Sequence, residues 1–186
     1  MSAKKINPML LIDFYKAVHA EMLPKGITKS VSYFTPRMSR IKRWDKVVMF
    51  GLQGFIKTYL IDYFNEEFFG RPFDEVMEDY KRIMDNALGS EAYKIEKVEK
   101  LHHLGYLPIE IVALPEGTLV PMHVPMFGIT NTHSDFAWLP QSLESLISAE
   151  SWHPMIAATV GYTYRQIVNE YYDKTCDDNI PRARAL

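Results

Sequence analysis

The sequence predicts an α+β fold in which helices pack around a small, largely antiparallel sheet. Apolar residues recur at helical spacing through most of residues 52–103 and 134–173, whereas they alternate in two shorter stretches, near 30–36 and 107–131. Apolar residues make up 47% of the 186 residues and charged residues 24%, which is ordinary for a globular protein with a buried core. We therefore expect a single domain over residues 1–186.

The helical segments have recognisable start and stop residues. Asn7-Pro8 can cap and open a helix near residues 8–22, which Pro24 and Gly26 stop. Further helical segments are predicted in "VVMFGLQGFIKTYLIDYF", in residues 73–88 before Gly89, from about Ser90 to His103 before Gly105, from Ser134 onward through Leu139–Ile147, and from about Thr159 to Asp173. In the last helix, the side chains expected to face inward are those of Tyr164, Ile167, Val168 and Tyr171.

Two stretches have the alternation of strands. In "KSVSYFTPR", Val31 and Tyr33 point to one side and Ser32 and Phe34 to the other, before Pro36 ends the strand. The stretch "LPIEIVALPEGTLVPMHVPMFGITNT" contains an alternating run, a Pro-Glu-Gly turn and further short strands broken by prolines. Since proline cannot donate to a ladder, these prolines favour edge strands or a rim.

Several classes of site are disfavoured by the composition and the motifs. The net charge of −2 gives no attraction to nucleic acid or to an anionic membrane, and no nucleic-acid or membrane partner is expected. The six histidines lack HExxH spacing, and neither a Walker loop nor a GxGxxG motif is present, so we assign no catalytic or metal-ligating residue. The start "MSAKKINPMLLIDFY" does not read as a signal peptide, and the single cysteine, Cys176, fits a reducing compartment; we expect a cytoplasmic protein.

The densest positive cluster consists of Arg37, Arg40, Lys42 and Arg43. Such a run is usually a solvated connector, but arginine also offers a fork of donors that matches phosphate oxygens. Arg37 is the best candidate for phosphate binding, because it directly follows a predicted strand end. Nucleic-acid binding is a third alternative, and the lack of a further basic stripe argues against it.

Asp13 and Tyr15 stand close together near the N-terminus in "LLIDFYKAVH". An aspartate near a helix start is usually a cap, and a tyrosine two residues later usually belongs to the core. The alternative is that this segment reaches a ligand. By spacing alone the first interpretation is favoured.

Six segments in register resemble the N-terminal part of nicotinamide phosphoribosyltransferases: "LLIDFYKAVH…LP", "SYFTPR", "FGLQGFIKTYL", "LPIEIVALPEG…VP", "ITNT…WLPQSLESLI" and "SWHPMIAAT". The resemblance runs from about Asn7 to Tyr172. It implies an enzyme of the type II phosphoribosyltransferase kind that joins nicotinamide to phosphoribosyl pyrophosphate and releases nicotinamide mononucleotide and pyrophosphate, in NAD salvage. It also implies Mg²⁺ bound with the pyrophosphate, with no magnesium site visible in this chain, and a homodimer whose two active sites draw residues from both subunits.

Three residues match positions that bind substrate in that family. Asp13 and Tyr15 match a D-x-Y pair in an N-terminal arm, here residues 10–19. The resemblance implies that the tyrosine crosses the dimer and stacks on the nicotinamide ring, with the acid beside that pocket. Arg37 matches an arginine on the pyrophosphate side of the site. Phe14 departs from the small polar residue typical of the family between the pair.

The larger departure from the family is length. This chain stops at "DNIPRARAL", whereas the family continues into a D-F-G-x-R motif and a C-terminal α/β barrel that supplies most of the phosphoribosyl-binding residues. The resemblance therefore implies an N-terminal domain without its catalytic barrel, inactive alone, whose partner is the missing C-terminal half or a full-length homologue. Two alternatives stay open: a non-catalytic dimerisation or interaction module, and a nicotinate phosphoribosyltransferase-like substrate preference.

Overall fold

The computed structural model describes residues 6–176, which form two small antiparallel sheets with helices packed around them. In the larger sheet the strand order is β1 (Val31–Phe34), β5 (Phe127–Asn131) and β3 (Ile109–Ala113). The smaller sheet pairs β2 (Lys46–Val48) with β4 (Leu119–Pro121). These observations confirm the α+β prediction. The lysines of "MSAKKINPM" and the end "DNIPRARAL" lie outside the described residues.

The three-stranded sheet has one covered face and one open face. On the covered face, Phe127 and Ile129 of β5 are buried in the core. The open face presents Val31 and Tyr33 of β1 and Val112 of β3, all of them exposed. In β1 the predicted alternation is confirmed, because Val31 and Tyr33 point to the solvent side and Phe34 packs against the core.

Strand β2 was not predicted. In "VVMFGLQGFIKTYLIDYF" the residues at helical spacing begin at Leu52, and the valines before them, Val47 and Val48, pair with β4. Gly51, at φ +84°, then turns the chain, and α2 begins at Leu52 (Leu52–Phe55). Beyond α2 the helix widens into π-type turns at Ile56–Tyr63 and Asn65–Phe69.

The predicted N-terminal helix is two separate pieces. Asn7 caps a short 3-10 helix at Pro8–Leu10, its side-chain oxygen accepting the N–H of Met9 at 3.0 Å. Helix α1 then spans Tyr15–Met22. Between them the chain is not helical, and the N–H of Asp13 is donated to a side chain far along the sequence.

Glycines end the next two helices as predicted. Helix α3 (Phe73–Leu88) stops at Gly89 and α4 (Glu96–Leu104) stops at Gly105, both glycines having positive φ. Helix α4 begins at Glu96, later than the predicted Ser90. The buried face of α3 includes Val76, Met77, Tyr80 and Met84.

The C-terminal part differs most from the prediction. After a 3-10 turn at Ser134–Phe136 and the short α5 (Leu139–Ser142), one helix, α6, runs over Glu144–Thr175. It continues through Pro154, where two separate helices were predicted. Its last buried residue is Thr159, so the turns beyond it extend past the core.

The prediction that Tyr164 and Tyr171 face inward is therefore wrong: the two are 65% and 60% exposed. Ile167 and Val168 are partly buried. Within residues 6–176 no helix is both long and apolar enough to cross a membrane.

Candidate functional site

A cleft of about 820 Å³ opens between the end of β1 and the first half of α6. Aromatic rings line it: Phe34 and Phe127 are stacked with centroids 4.8 Å apart, and Trp152 lies 5.7 Å from Phe34. The cleft thus has an aromatic wall on which a planar ring can stack.

Arg37 is the only positively charged residue among those that line the cleft within the described chain. It is exposed, and none of the ion pairs within residues 6–176 includes it. The loop that carries it is fixed to the rest of the fold, because the carbonyl of Pro36 accepts the N–H of His123 at 2.8 Å. The backbone that carries Arg37 is thus held in place, and its exposed guanidinium is available to an anion.

The structure separates the other members of the positive cluster from Arg37. Arg40 and Arg43 do not line the cleft, and Arg43 lies 4.0 Å from Glu170 of α6. Only Arg37 therefore keeps the phosphate-binding interpretation.

Polar side chains of α5 and α6 complete the cleft. They are Gln141, Glu144 and Ser148, and Glu144 is the only carboxylate among the lining residues within residues 6–176. Its side chain is 59% exposed and accepts a hydrogen bond from the ammonium group of Lys16. A group of the N-terminal arm therefore reaches a wall of the cleft.

Asp13 is hydrogen-bonded to α6 and does not cap α1. Its N–H is donated to Ser145 Oγ at 3.0 Å, and Ser145 Oγ donates to Asp13 Oδ2 at 2.8 Å. The cap position of α1 is Phe14, with no side-chain hydrogen bond to the helix. The interpretation of Asp13 as a helix cap is therefore wrong.

Tyr15 is not a core residue either. It is 52% exposed, and its hydroxyl donates to Asp13 Oδ2 over a long 3.4 Å. Its ring lies 5.0 Å from the His19 ring, and the Lys16 ammonium is 5.2 Å from its centroid. About half of this side chain is open to solvent.

The cleft and the arm adjoin each other without merging. Arg37 lines the cleft, whereas Asp13 and Tyr15 do not. The two parts meet at the first turn of α6, where Glu144 and Ser145 contact the arm. Sequence reasoning missed Lys16, Glu144 and Ser145, although they lie inside the resembling segments "LLIDFYKAVH" and "WLPQSLESLI".

The far end of α1 is anchored independently of the cleft. Lys97 of α4 donates to Glu21 at 2.8 Å and also to the carbonyl of Ala20. Lys97, with help from Lys94, holds the pKa of the Glu21 carboxyl below its ordinary value. Helix α1 is therefore held at both ends by lysine–glutamate pairs, only one of which involves the cleft.

Comparison with known proteins identifies the family. The family model described as "Nicotinamide phosphoribosyltransferase, N-terminal domain" matches residues 7–111, a stretch that includes Asp13, Tyr15 and Arg37. The nicotinamide phosphoribosyltransferase of Acinetobacter baylyi (strain ATCC 33305 / BD413 / ADP1) is 44% identical over 176 residues. That of Xanthomonas campestris pv. campestris (strain 8004) is 34% identical over 175 residues.

These relatives are much longer than this chain. The alignments cover 92% of this chain, but only 35% of the Acinetobacter protein and 34% of the Xanthomonas protein. Among solved structures, human nicotinic acid phosphoribosyltransferase has the same fold, with a TM-score of 0.60 at 19% identity over 84% of this chain and 28% of that one. The chain thus spans about a third of the length of the relatives that it matches.

Proposed function

Because this chain belongs to the nicotinamide phosphoribosyltransferase family, we propose that it forms the substrate-side, N-terminal part of an enzyme that joins nicotinamide to phosphoribosyl pyrophosphate. In this reaction the pyridine nitrogen attacks the anomeric carbon of the ribose. The bond from that carbon to the pyrophosphate oxygen breaks, and pyrophosphate leaves with the electron pair. Nicotinamide mononucleotide is the other product.

Arg37 carries this proposal. It lines the aromatic cleft, and no ion pair within residues 6–176 includes its guanidinium. By the resemblance, it stands at the position of the family's pyrophosphate-side arginine. In the proposed complex its fork of donors binds phosphate oxygens and stabilises the negative charge that grows on the leaving group. The stacked Phe34 and Phe127 rings shape the adjacent wall.

We further propose that Tyr15 serves the active site of a second subunit in a homodimer. Two observations support this assignment: its ring is half exposed, and it does not line the cleft of its own chain. In the partner's site the ring would stack on nicotinamide, while Asp13, fixed by Ser145, would lie beside the pocket. The cytoplasmic location and the single domain over residues 1–186 likewise stay proposals.

The magnesium ion that the resemblance implies would arrive with the pyrophosphate group. Within residues 6–176, no three His, Cys, Asp or Glu side chains come together as a possible ligand set. The only carboxylate that these residues contribute to the cleft, Glu144, already pairs with Lys16. The described residues do not fit a magnesium site of their own, and no step proposed here passes through the ion.

An interaction module is the second candidate function. The open face of the larger sheet, with Val31, Tyr33 and Val112 exposed, favours it, because an apolar sheet face of this kind is typical of a docking surface. Both candidate functions, enzyme part and interaction module, require a partner. They differ in whether Arg37 binds a substrate.

The substrate role is tested by binding phosphoribosyl pyrophosphate to the full chain, using isothermal titration calorimetry. Arg37→Ala should weaken binding about tenfold or more, because a charge-assisted hydrogen bond is worth roughly 1.5–3 kcal/mol. Arg40→Ala is the matched control, being a nearby exposed arginine that does not line the cleft. Equal affinities for wild type, Arg37→Ala and Arg40→Ala would favour the interaction module instead.

A further inference from the structure

Lys16 is the only buried lysine or arginine within residues 6–176, with 5% of its surface exposed. Its stem shares a small cavity with Ile12 and Trp138. Its ammonium group emerges at Glu144 and hydrogen-bonds the carboxylate there. A buried charge is costly unless it is paired, so this position requires a reason beyond packing, which an apolar side chain would serve as well.

Glu144 gives that reason, because it faces both the arm and the cleft. It is mostly exposed, and it lines the cleft that Arg37 also lines. An unpaired carboxylate at this place would repel an anionic ligand and could attract Arg37 away from it. With Lys16, which does not line the cleft, bonded to it, the charge of the carboxylate is compensated.

Consecutive residues of α6 fix the arm on both sides of Tyr15. Ser145 binds Asp13 through the paired hydrogen bonds, and Glu144 binds Lys16. Tyr15 lies between these two contacts, and its own side chain contacts Asp13, Lys16 and His19. The two contacts therefore fix the backbone on both sides of Tyr15.

We propose that Lys16 is a positioning residue with two effects: it holds the arm so that Tyr15 points outward, and it neutralises Glu144 so that the cleft accepts an anion beside Arg37. The inference rests on the proposed function, since it takes the cleft to bind a phosphate-bearing ligand. It adds that the arm and the anion site depend on one ion pair. Loss of the Lys16 charge disturbs both, because it frees the arm and leaves the Glu144 carboxylate uncompensated beside the anion site.

Four variants of the full chain separate this role from simple stability. Lys16→Met keeps the length of the apolar stem and removes the charge, and Glu144→Gln removes the carboxylate and keeps the shape. The double variant Lys16→Met/Glu144→Gln removes both charges. Lys97→Met is the matched control, because Lys97 anchors the other end of α1 through Glu21 and does not line the cleft.

Two measurements are made on each protein. Hydrogen–deuterium exchange of the amides of residues 13–19 reports how firmly the arm is held. Titration with inorganic pyrophosphate, followed through the fluorescence of Trp152 in a Trp44→Phe background, reports anion binding in the cleft that Trp152 lines. Trp138 is buried and does not line the cleft, so its signal is recorded as a separate baseline for each variant.

The expected pattern distinguishes the two effects of Lys16. Lys16→Met should speed exchange in residues 13–19 about tenfold, because the arm loses a charge-assisted hydrogen bond to Glu144. It should also weaken pyrophosphate binding about tenfold, because the uncompensated Glu144 carboxylate repels the anion. Glu144→Gln should loosen the arm by a similar factor but leave pyrophosphate affinity at or above wild type. The double variant should match Glu144→Gln in affinity, and Lys97→Met should leave affinity unchanged.

Two results overturn the inference. If Lys97→Met weakens pyrophosphate binding as much as Lys16→Met does, the effect of Lys16 is general destabilisation. If the double variant stays as weak as Lys16→Met, Glu144 is not the group that Lys16 neutralises. If the wild-type chain binds no pyrophosphate, the anion site of the proposed function is contradicted. The neutralising effect of Lys16 is then contradicted as well. The hydrogen–deuterium exchange data test the effect of Lys16 on the arm independently of that result.

Discussion

Gly51 and Pro154 touch across the junction of α2 and α6: a Cβ added to Gly51 would lie 2.8 Å from Cβ of Pro154. Gly51 also has a φ of +84°, a backbone conformation that disfavours side chains. The absence of a side chain at position 51 therefore makes room for the proline ring in the middle of a long helix.

Gly51→Ala should lower the free energy of unfolding by about 2–4 kcal/mol, combining backbone strain with overpacking. Gly26→Ala is the control, because Gly26 has nearly the same φ, +83°, and no atom within 4 Å of the added Cβ. It should lose only about 1–2 kcal/mol. Urea denaturation measures both values, and equal losses would show that contact with Pro154 is without consequence.

Thr159 connects α6 to the smaller sheet. Its hydroxyl accepts the N–H of Val48 at 3.0 Å and donates to the carbonyl of Met155 at 2.7 Å, and the residue is buried. Thr159→Val keeps the shape but leaves that buried N–H without its acceptor, which should cost about 1–3 kcal/mol of unfolding free energy.

The matched control for this substitution lies one turn later. Thr163 donates to the carbonyl of Thr159 at 2.8 Å, and among residues 6–176 it accepts no backbone N–H from a strand. Thr163→Val should therefore change the unfolding free energy by no more than about 0.5 kcal/mol. Similar losses for the two variants in urea denaturation would contradict the role assigned to Thr159.

The Glu21 pair should make stability depend on pH in the acidic range. Lys97 lowers the pKa of the Glu21 carboxyl below its ordinary 4.5, so the folded state favours the ionised form. This contribution is present above the unfolded-state pKa and is lost as the pH falls through the lower folded-state pKa. Glu21→Gln should thus destabilise the chain by about 0.5–1 kcal/mol near neutral pH and less than that near about pH 3.

Urea denaturation at the two pH values measures the difference between wild type and Glu21→Gln. Glu78→Gln, a change at an exposed glutamate of α3, is the control and should behave as wild type at both. A Glu21→Gln deficit that stays constant or grows on acidification would show that Lys97 does not favour the ionised carboxylate.

Tyr15 should matter for activity and not for stability. Because its side chain is half exposed, Tyr15→Ala should change the unfolding free energy of the chain by no more than about 0.5 kcal/mol. In an active assembly, Tyr15→Phe should keep the ring face and most of the turnover, whereas Tyr15→Ala should lose it. A large loss of unfolding free energy in Tyr15→Ala would show instead that Tyr15 is part of the hydrophobic core.

The features that depend on local sequence were predictable. The stops at Gly89 and Gly105, the Asn7-Pro8 opening and the edge strand ending in Pro121 all follow from backbone chemistry within a few residues. Strand β2 was missed because its two valines merge with the apolar run before the next helix, and pairing with β4 decides its conformation.

The features that depend on distant contacts were not predictable. Pro154 of α6 packs against Gly51, about a hundred positions earlier, where a side chain would clash with the proline ring. The spacing of Tyr164 and Tyr171 indicates an apolar stripe along α6. Whether such a stripe is buried depends on another element packing against it, and both tyrosines are exposed. For the candidate site, the resemblance indicated Asp13, Tyr15 and Arg37, while the contacts of Lys16 and Asp13 with α6 span 128 and 132 positions.

Reconstitution of phosphoribosyl transfer tests the central claim most directly. The full chain would be mixed with a second polypeptide, the part of the Acinetobacter baylyi relative that lies beyond the alignment. Nicotinamide, phosphoribosyl pyrophosphate and Mg²⁺ would be supplied, and the nicotinamide mononucleotide formed would be measured. We expect product from the mixture, none above background from either polypeptide alone, and a loss of at least about tenfold with Arg37→Ala but not with Arg40→Ala. A complex that forms but gives no product, or turnover by this chain alone, would contradict the account.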